Sequence, residues 1–345
     1  MKIIYSKTHL LHAPQREMDG ESSTFYPHHE IPQRAERILE VLHSDDIGEV
    51  IPPREYDPSI IEEVHEPGLI EYYRRVIPAW NARTGQPEPV IPDLFALRRL
   101  CRRPEDPARQ VGYYCFDPQT PFMEHTWEAV LSSAGCALSA ADLLLEGEDT
   151  IYALCRPPGH HAGRDYYGGY CYLNNAALAA GKLRRRGRPA ILDIDYHHGN
   201  GTQDIFYDSA EVPYVSLHAD PNFAFPCFSG YRDERGEGAG KGYNANFPLP
   251  LDADEAGYHA ALDTALDEIH SFAADFLIIS LGVDTVQEDP LGGFNISIES
   301  FRHIGGKIGK LGLPVMVVQE GGYNLSLAGR CVANFLEGIA AAKSA

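Results

Sequence analysis

The sequence predicts an α/β fold in which a mostly parallel sheet lies between two layers of helices, within a single domain covering residues 1–345. From residue 124 onward, short apolar runs alternate with stretches of helical period. The runs are apolar almost throughout, which is typical of parallel strands covered on both faces. No internal repeat or low-complexity tract interrupts this order, and with 44% hydrophobic residues the chain can form a substantial core.

The expected elements follow in order along the chain. Apolar runs predict strands at 2–6, 150–155, 189–196, 212–218, 275–284 and 314–320. Helical spacing predicts helices at 32–45, 68–80, 125–147, 172–186, 254–273, 298–311 and 327–342. Between 81 and 125 the chain is rich in Pro, Gly, Arg and aromatic residues and has no clear period. We therefore expect a loop insertion there, with a functional or interaction role.

Composition limits the classes of partner and the compartment. The 29 Lys and Arg residues are outnumbered by 49 Asp and Glu, a formal charge of −20, which argues against nucleic acid or an anionic membrane as the main partner. The acidity could attract cationic small molecules, or simply keep an enzyme soluble.

The seven cysteines are odd in number and lack a C-x-x-C pair, which favours free thiols in a reducing compartment. The first apolar run is too short for a signal or membrane span, so we expect a cytoplasmic protein.

Polar, glycine-rich segments follow five of the predicted strands. In chain order they read RPPGHHAG, DYHHGNG, HADP, DTVQEDP and EGGYN. Ligands of open α/β sheets bind outside the carboxyl ends of the strands. The His, Asp and Tyr residues of these segments should therefore converge in space.

Three residues in these segments suggest a metal site. Asp195 and His197 are two positions apart, so they point the same way on an extended backbone, and Asp284 at another strand end can supply a third ligand. Without Asp284, the first two could equally form a strand-end hydrogen-bonded pair. Two carboxylates and one imidazole leave positions open, as in catalytic sites, and zinc, Fe(II) or Co(II) would suit them. A two-metal hydrolase is disfavoured because Gly199 and Val286 supply no further carboxylates.

The motifs together resemble a known family. RPPGHHAG, GGYCYLNNAALAA, ILDIDYHHGNGTQDIFY, VSLHADP, SLGVDT and QEGGYN, in this order, are similar to the histone deacetylase superfamily, and most closely to its acetylpolyamine amidohydrolase branch. The resemblance implies the three-layer arginase-deacetylase fold. It also implies a zinc ion held by Asp195, His197 and Asp284, and hydrolysis of the amide bond of a small N-acyl amine.

The resemblance also implies roles for further residues. His161 would act as general base and acid and His160 mainly electrostatically, with Asn200 and Asp193 as their respective partners. Asn200 stands where some relatives have aspartate, so His161 should be held less strongly as imidazolium. Tyr323 would donate a hydrogen bond to the substrate carbonyl.

Two further sets of residues are carried over from the family. The residues implied to contact substrate are Glu17, Gln119, Gly169, Tyr170 and Phe225. The residues implied to hold potassium or sodium are Asp193, Asp195, His197, Ser216 and Leu217 at one site and Phe206, Val212 and Tyr243 at a second.

Substrate choice stays open at this point. In polyamine-cleaving relatives the loop at 81–125 narrows the tunnel through a dimer, which disfavours histone tails and predicts a homodimer or higher homo-oligomer. Two positions aligned with tunnel carboxylates are the neutral Ala108 and Gln119. Losing a carboxylate from a confined site would weaken cation binding by ~1–4 kcal/mol each. An amidase for neutral or aromatic small amides is therefore the alternative, and a non-catalytic metal-binding module is a minor one.

Overall fold

The computed structural model describes residues 1–18, 24–85, 89–97 and 101–344. In chain order its strands are β1 (Lys2–Ile4), β2 (Arg16–Met18), β3 (Phe25–Pro27), β4 (Glu49–Ile51), β5 (Thr150–Ala153), β6 (Pro189–Asp193), β7 (Tyr214–Ala219), β8 (Asn244–Leu249), β9 (Phe276–Leu281) and β10 (Val315–Gln319). Its α-helices are α1 (Gln33–Ser44), α2 (Pro67–Thr84), α3 (Val111–Tyr114), α4 (Thr126–Leu145), α5 (Asn175–Leu183), α6 (Asn200–Phe206), α7 (Glu255–Ser271), α8 (Ser300–Gly309) and α9 (Ala328–Lys343).

Eight of the described strands form one sheet in the order β4-β1-β5-β10-β9-β6-β7-β8. Every neighbouring pair is parallel, so the predicted α/β fold is confirmed. The remaining two strands, β2 and β3, form a separate antiparallel hairpin. Because the strands are parallel, the loops after β5, β6, β7, β9 and β10 all leave the same edge of the sheet.

The core lies in two layers, one on each face of the sheet. Neighbouring strand residues alternate between the layers, as Ile3 and Ile4 or Leu192 and Ile191 do. One layer packs under α1, α7, α8 and α9, and the other under α2, α4 and α5. Helix α4 is long and apolar enough to cross a membrane by composition, but 72% of its most apolar window is buried inside the fold, as in a core helix.

Five of the seven cysteines are buried thiols. They are Cys115, Cys136, Cys155, Cys171 and Cys331.

Several elements differ from the sequence prediction. Strands β4 and β8, the β2–β3 hairpin and helices α3 and α6 were not predicted. Helix α2 continues past residue 80 and ends at Gly85, whose φ of +64° closes it in the left-handed conformation. The predicted loop at 81–125 therefore begins later and contains α3 and a 3₁₀ turn at Pro107–Arg109. Positions 86–88 and 98–100 of that loop lie outside the described residues.

Candidate active site

The predicted ligands Asp195, His197 and Asp284 lie together at the carboxyl edge of the sheet. His197 Nδ1 is 3.3 Å from Asp195 Oδ1 and 3.1 Å from Asp284 Oδ2. One donor atom from each of the three residues lies within 4.8 Å of the others. Both carboxylates are fully buried. Burying two carboxylates side by side is costly unless a cation or a proton balances them.

Backbone groups orient the two carboxylates. Asp195 Oδ2 accepts a hydrogen bond from the Gly321 N–H at 2.7 Å, and Asp284 Oδ1 accepts one from Tyr196 N–H at 3.0 Å. A Cβ at Gly321 or at Gly282 would strike these carboxylates. The two glycines therefore leave space that a larger residue would fill.

Burial and the neighbouring charged groups shift the pKa values of the residues in this cluster. Burial raises the pKa of Asp284, and the neighbouring Asp195 raises it further. Burial opposes protonation of His197, but hydrogen bonds to Asp195 and Asp284 outweigh it and raise the pKa of His197 to about 10. Protons and a divalent cation compete for these same donors.

The tandem histidines lie beside this cluster with different partners. His160 Nδ1 donates to Asp193 Oδ2 at 3.1 Å, and His161 Nδ1 donates to Asn200 Oδ1 at 2.8 Å. Burial disfavours the charged form of His160, but the Asp195 and Asp193 carboxylates raise its pKa to about 10. Burial, together with the positive charges of His160 and His197, holds the pKa of His161 well below its ordinary value. His161 is therefore a neutral imidazole whose Nε2 carries a lone pair.

Tyr323 extends from the loop after β10 into a cavity that His161 and His197 also line. The Arg34 guanidinium lies 4.5 Å from its ring centroid, and the ring of Tyr170 lies 5.8 Å away. Its backbone N–H donates to Asp289 Oδ2 at 2.7 Å, and Arg34 Nε donates to the Gly322 carbonyl at 2.6 Å. Burial raises the pKa of the Tyr323 phenol well above its ordinary value, although Arg34 opposes this. The hydroxyl therefore keeps its proton and can act as a donor.

A cavity of about 310 Å³ opens onto these groups. Its lining residues are Tyr26, Asp117, Gln119, His161, Gly169, Tyr170, Tyr196, His197, Phe223, Ala224, Phe225, Leu251, Leu291 and Tyr323. Four of the five residues predicted to contact substrate are therefore in its wall. The fifth, Glu17, is 2% exposed behind the wall, where it accepts a hydrogen bond from the Tyr170 hydroxyl at 2.6 Å and pairs with His29. Ala108 is buried within the loop insertion and does not line the cavity.

Asp117, a residue that sequence reasoning did not select, also lines this cavity. It accepts hydrogen bonds from Gly169 N–H at 2.9 Å, Thr120 Oγ1 at 2.8 Å and Gln119 N–H at 2.9 Å. Burial raises its pKa, although these donors oppose the shift. Its carboxylate thus fixes the backbone of Gly169 and Gln119 in the cavity wall.

Three other polar residues around the site were also missed. Arg34 and Asp289 hold the Tyr323 loop, and Glu320 accepts hydrogen bonds from the backbone of Gly159 and His160. Glu320 stands inside the QEGGYN motif, directly after a strand, which is a signal that could have identified it. Arg34 lies 288 residues from its partner Gly322, and no local pattern indicates that contact.

The residues predicted to hold monovalent cations lie at two places near β7. Asp193 and Ser216 are opposite each other in the register of β6 and β7, and Asp195, His197 and Leu217 lie close by along the chain. Ser216 Oγ is hydrogen-bonded to His218 Nδ1 at 2.7 Å. For the second set, Phe206 ends α6, Val212 precedes β7, and the Tyr243 carbonyl accepts a hydrogen bond from the Tyr214 N–H at 2.9 Å.

Comparison with known proteins identifies the class to which this fold and site belong. Residues 28–339 match the histone deacetylase domain, so the chain belongs to the histone deacetylase family. This confirms the family predicted from the sequence motifs.

Individual relatives narrow the family to one branch. The chain is 45% identical over 342 residues to acetylpolyamine amidohydrolase 2 of Pseudomonas aeruginosa, covering 98% of each protein. It is 41% identical over 343 residues to acetylpolyamine amidohydrolase of Mycoplana ramosa, covering 99% of this chain and 100% of the relative. The crystal structure of acetylpolyamine aminohydrolase from Burkholderia pseudomallei superposes with a TM-score of 0.91 at 36% identity over 99% of both chains. The acetylpolyamine amidohydrolase branch and its α/β fold are thereby confirmed.

Proposed function

We propose that the chain is a zinc-dependent amidohydrolase that removes the acetyl group from acetylpolyamines by hydrolysis. The single observation that carries this proposal is the meeting of five groups at the carboxyl edge of the sheet, three of them in the wall of one cavity and two buried beside it. The Asp195, His197 and Asp284 side chains form one cluster, the His161 ring lies 6.2 Å from the His197 ring, and His161, His197 and Tyr323 all line the same cavity. This is the set of groups that metal-assisted hydrolysis of an amide requires.

The relatives support the same enzyme class. Acetylpolyamine amidohydrolases of Pseudomonas aeruginosa and Mycoplana ramosa match nearly the whole chain at 41–45% identity. The prediction of an amidohydrolase acting on acetylated amines is therefore confirmed at the level of the enzyme class and its branch.

The chemistry of Asp195, His197 and Asp284 suits a divalent cation. Their donor atoms are clustered within 4.8 Å, and Gly321 and Gly282 keep space beside the carboxylates. Zinc accepts this nitrogen and oxygen donor set, and Fe(II) or Co(II) would also fit. When bound there, the metal would supply Lewis-acid chemistry, polarising the substrate carbonyl and lowering the pKa of water.

The neighbouring side chains handle the protons. Nε2 of His161 would take the proton of the attacking water and later deliver it to the leaving amine, because its Nδ1–H is already committed to Asn200. The Tyr323 hydroxyl would donate a hydrogen bond to the carbonyl oxygen as negative charge develops on it. His160, held by Asp193, would contribute mainly positive charge beside the reacting groups.

The cavity wall would orient the acyl amine. The rings of Tyr170 and Phe225 are both part of the lining, and Phe225 lies edge-on to His161 with ring centroids 5.0 Å apart. Gly169, at a φ of +57°, packs so closely on His161 that a Cβ would collide with the imidazole. Its carbonyl is our candidate acceptor for the substrate amide N–H.

One observation favours a second candidate substrate class, neutral or aromatic small amides. Among the described lining residues the only carboxylate is Asp117, which already accepts three hydrogen bonds. Glu17 is buried behind Tyr170, and Gln119 is neutral. Phe223 and Leu251, both exposed, add apolar surface at the cavity. An apolar substituent on the amine would therefore find more contact than a distal ammonium.

Three finer features belong to the same proposal. Potassium or sodium would bind at the β6–β7 edge and near Tyr243, with a structural role. The loop insertion would meet a second copy of the chain, a homodimer or higher homo-oligomer, through its exposed Leu94, Phe95 and Leu97. The enzyme would work in the cytoplasm, on a small-molecule substrate and without nucleic acid or membrane as partner.

The test is hydrolysis of N-acetylputrescine, N-acetylcadaverine, an acetyl-lysine peptide and an uncharged acetanilide by purified protein of measured metal content. We expect activity that a chelator abolishes and that Zn²⁺, Fe²⁺ or Co²⁺ restores. A preference for the acetylated diamines supports the first candidate, and a preference for the anilide supports the second. Turnover that survives complete removal of metal would refute the mechanism.

A further inference from the structure

Glu320 is a buried carboxylate that the mechanism above does not use. It follows β10 directly, is fully inaccessible to solvent, and precedes the Gly321-Gly322-Tyr323 loop. Burying a carboxylate costs free energy unless several donors satisfy it. Its hydrogen-bond partners therefore indicate its purpose.

Those partners are in the tandem-histidine loop. Oε2 of Glu320 accepts the backbone N–H of Gly159 at 2.7 Å and that of His160 at 3.2 Å. The next backbone N–H, of His161, is directed to the buried thiol of Cys171. Three successive N–H groups of the loop thus point to one side, and Glu320 receives two of them.

The same carboxylate is tied to the other strand ends of the site. Its Oε1 accepts a hydrogen bond from Ser280 Oγ of β9 at 3.2 Å, and its own backbone N–H donates to Leu281 at 2.8 Å. One residue later, the Gly321 N–H donates to Asp195, and two residues after that Tyr323 enters the cavity. Glu320 therefore joins the loop that carries the histidines to the loop that carries the phenol.

Glu320 is close to His160 and Cys171, and the three could be mistaken for a metal site. The carboxylate already accepts three hydrogen bonds, and burial raises the pKa of the Cys171 thiol well above its ordinary value. These groups are already satisfied by their protein partners.

We propose that Glu320 is a positioning residue, which sets the spacing between the tandem histidines and Tyr323 by bonding the His160 loop to the start of the Tyr323 loop. This inference rests on the proposed function, in which His161 and Tyr323 act on the same amide, one on the proton of the attacking water and the other on the carbonyl oxygen. It assigns Glu320 no contact with substrate, since Glu320 is absent from the cavity lining.

The test compares Glu320→Ala with Glu320→Gln in the full-length, metal-loaded protein. Alanine leaves two backbone N–H groups without their acceptor, whereas glutamine keeps an oxygen that can accept both. Because displacing a reacting group by about 1 Å can cost about a hundredfold in rate, we expect Glu320→Ala to lower kcat for N-acetylputrescine by roughly ten- to a hundredfold. KM should change by less than about twofold, and Glu320→Gln should restore kcat to within about fivefold of the parent.

Ser133→Ala is the matched control, because Ser133 Oγ donates at 2.7 Å to the carbonyl of Pro157 in the same loop. It removes a buried hydrogen bond two residues before the contacts of Glu320. Its Tm should fall while its kcat stays near that of the parent. If Glu320→Ala lowers Tm as Ser133→Ala does but leaves kcat intact, or if glutamine fails to rescue, the inference is wrong. If the unmodified protein does not cleave N-acetylputrescine or the other amides, the proposed function fails instead.

Discussion

Replacing Tyr323 with phenylalanine removes one hydroxyl from the cavity and leaves the ring in place. The ring is held by the Arg34 guanidinium at 4.5 Å and by Tyr170 at 5.8 Å, and its backbone is anchored on Asp289 at 2.7 Å. None of these contacts needs the hydroxyl. The variant therefore tests the hydrogen bond to the developing oxyanion with little other change.

The expected loss follows from the kind of contact removed. Losing one preorganised donor to an oxyanion costs about 10²–10³-fold in kcat, or about 2.7–4 kcal/mol. Asp193→Asn makes the useful comparison, because Asp193 reaches the chemistry indirectly: its carboxylate accepts hydrogen bonds from His160 Nδ1 at 3.1 Å and from the Asp195 backbone N–H at 3.2 Å. Replacing such an orienting residue costs roughly 10–100-fold. Tyr323→Phe should therefore be the more damaging of the two.

The assay is kcat at saturating N-acetylputrescine, with metal content and near-ultraviolet circular dichroism measured on the same samples. Both variants should retain metal and fold. If Asp193→Asn loses as much kcat as Tyr323→Phe, or more, the ranking of direct over indirect contacts is wrong.

Three further predictions follow from other parts of the molecule. Gly321→Ala should weaken zinc binding by roughly 10–100-fold in a chelator competition, because its Cβ would strike the carboxylates of Asp195 and Asp284; unchanged affinity would contradict this geometry. Burial lowers the pKa of His65 to about 4 in the folded chain, so the part of the stability that depends on neutral His65 is fully present above about pH 6.5 and is lost as the pH falls towards 4. His65 alone should contribute about 2 kcal/mol of that loss between pH 7 and 5 in urea unfolding, and His65→Gln should flatten the profile by that amount; an equally steep profile in the variant would show that His65 is not responsible. With a net charge of −20, kcat/KM for cationic N-acetylputrescine should fall about threefold or more between low and high salt while that for neutral N-butylacetamide stays level; parallel salt curves would argue against electrostatic attraction of the substrate.

The parts of the fold that the sequence predicted well are those whose strands are buried on both faces. Runs such as 189–196 and 275–284 are apolar at nearly every position, and their strands form the centre of the sheet. The edge strand β8 was missed because buried Asn244 and Asn246 and the proline at 248 break the apolar run. Strand β4 and the β2–β3 hairpin are only three residues long per strand, too short for a period to be detected.

The candidate site likewise contains features that the sequence predicts and features that it does not. The convergence of Asp195, His197 and Asp284 could be predicted because parallel strands bring their carboxyl ends to one edge. Hydrogen bonds between residues far apart in the sequence leave no local pattern: Arg34 bonds to Gly322, 288 residues away. The position of Glu320 after a strand could have identified the residue, but not its partner Gly159, 161 residues away. These contacts depend on how loops pack after the sheet has formed.

The residues around the cavity come from two different parts of the chain, and this separation has a consequence for which amines the enzyme accepts. The groups proposed to break the amide follow strands of the central sheet, whereas Tyr26, Asp117 and Gln119 come from the β2–β3 hairpin and the loop insertion. Substitutions in those two peripheral segments could retune which amines are accepted without disturbing the hydrolytic apparatus. Exchange of the hairpin and insertion among relatives is thus a route to new amidases that share one unchanged reaction centre.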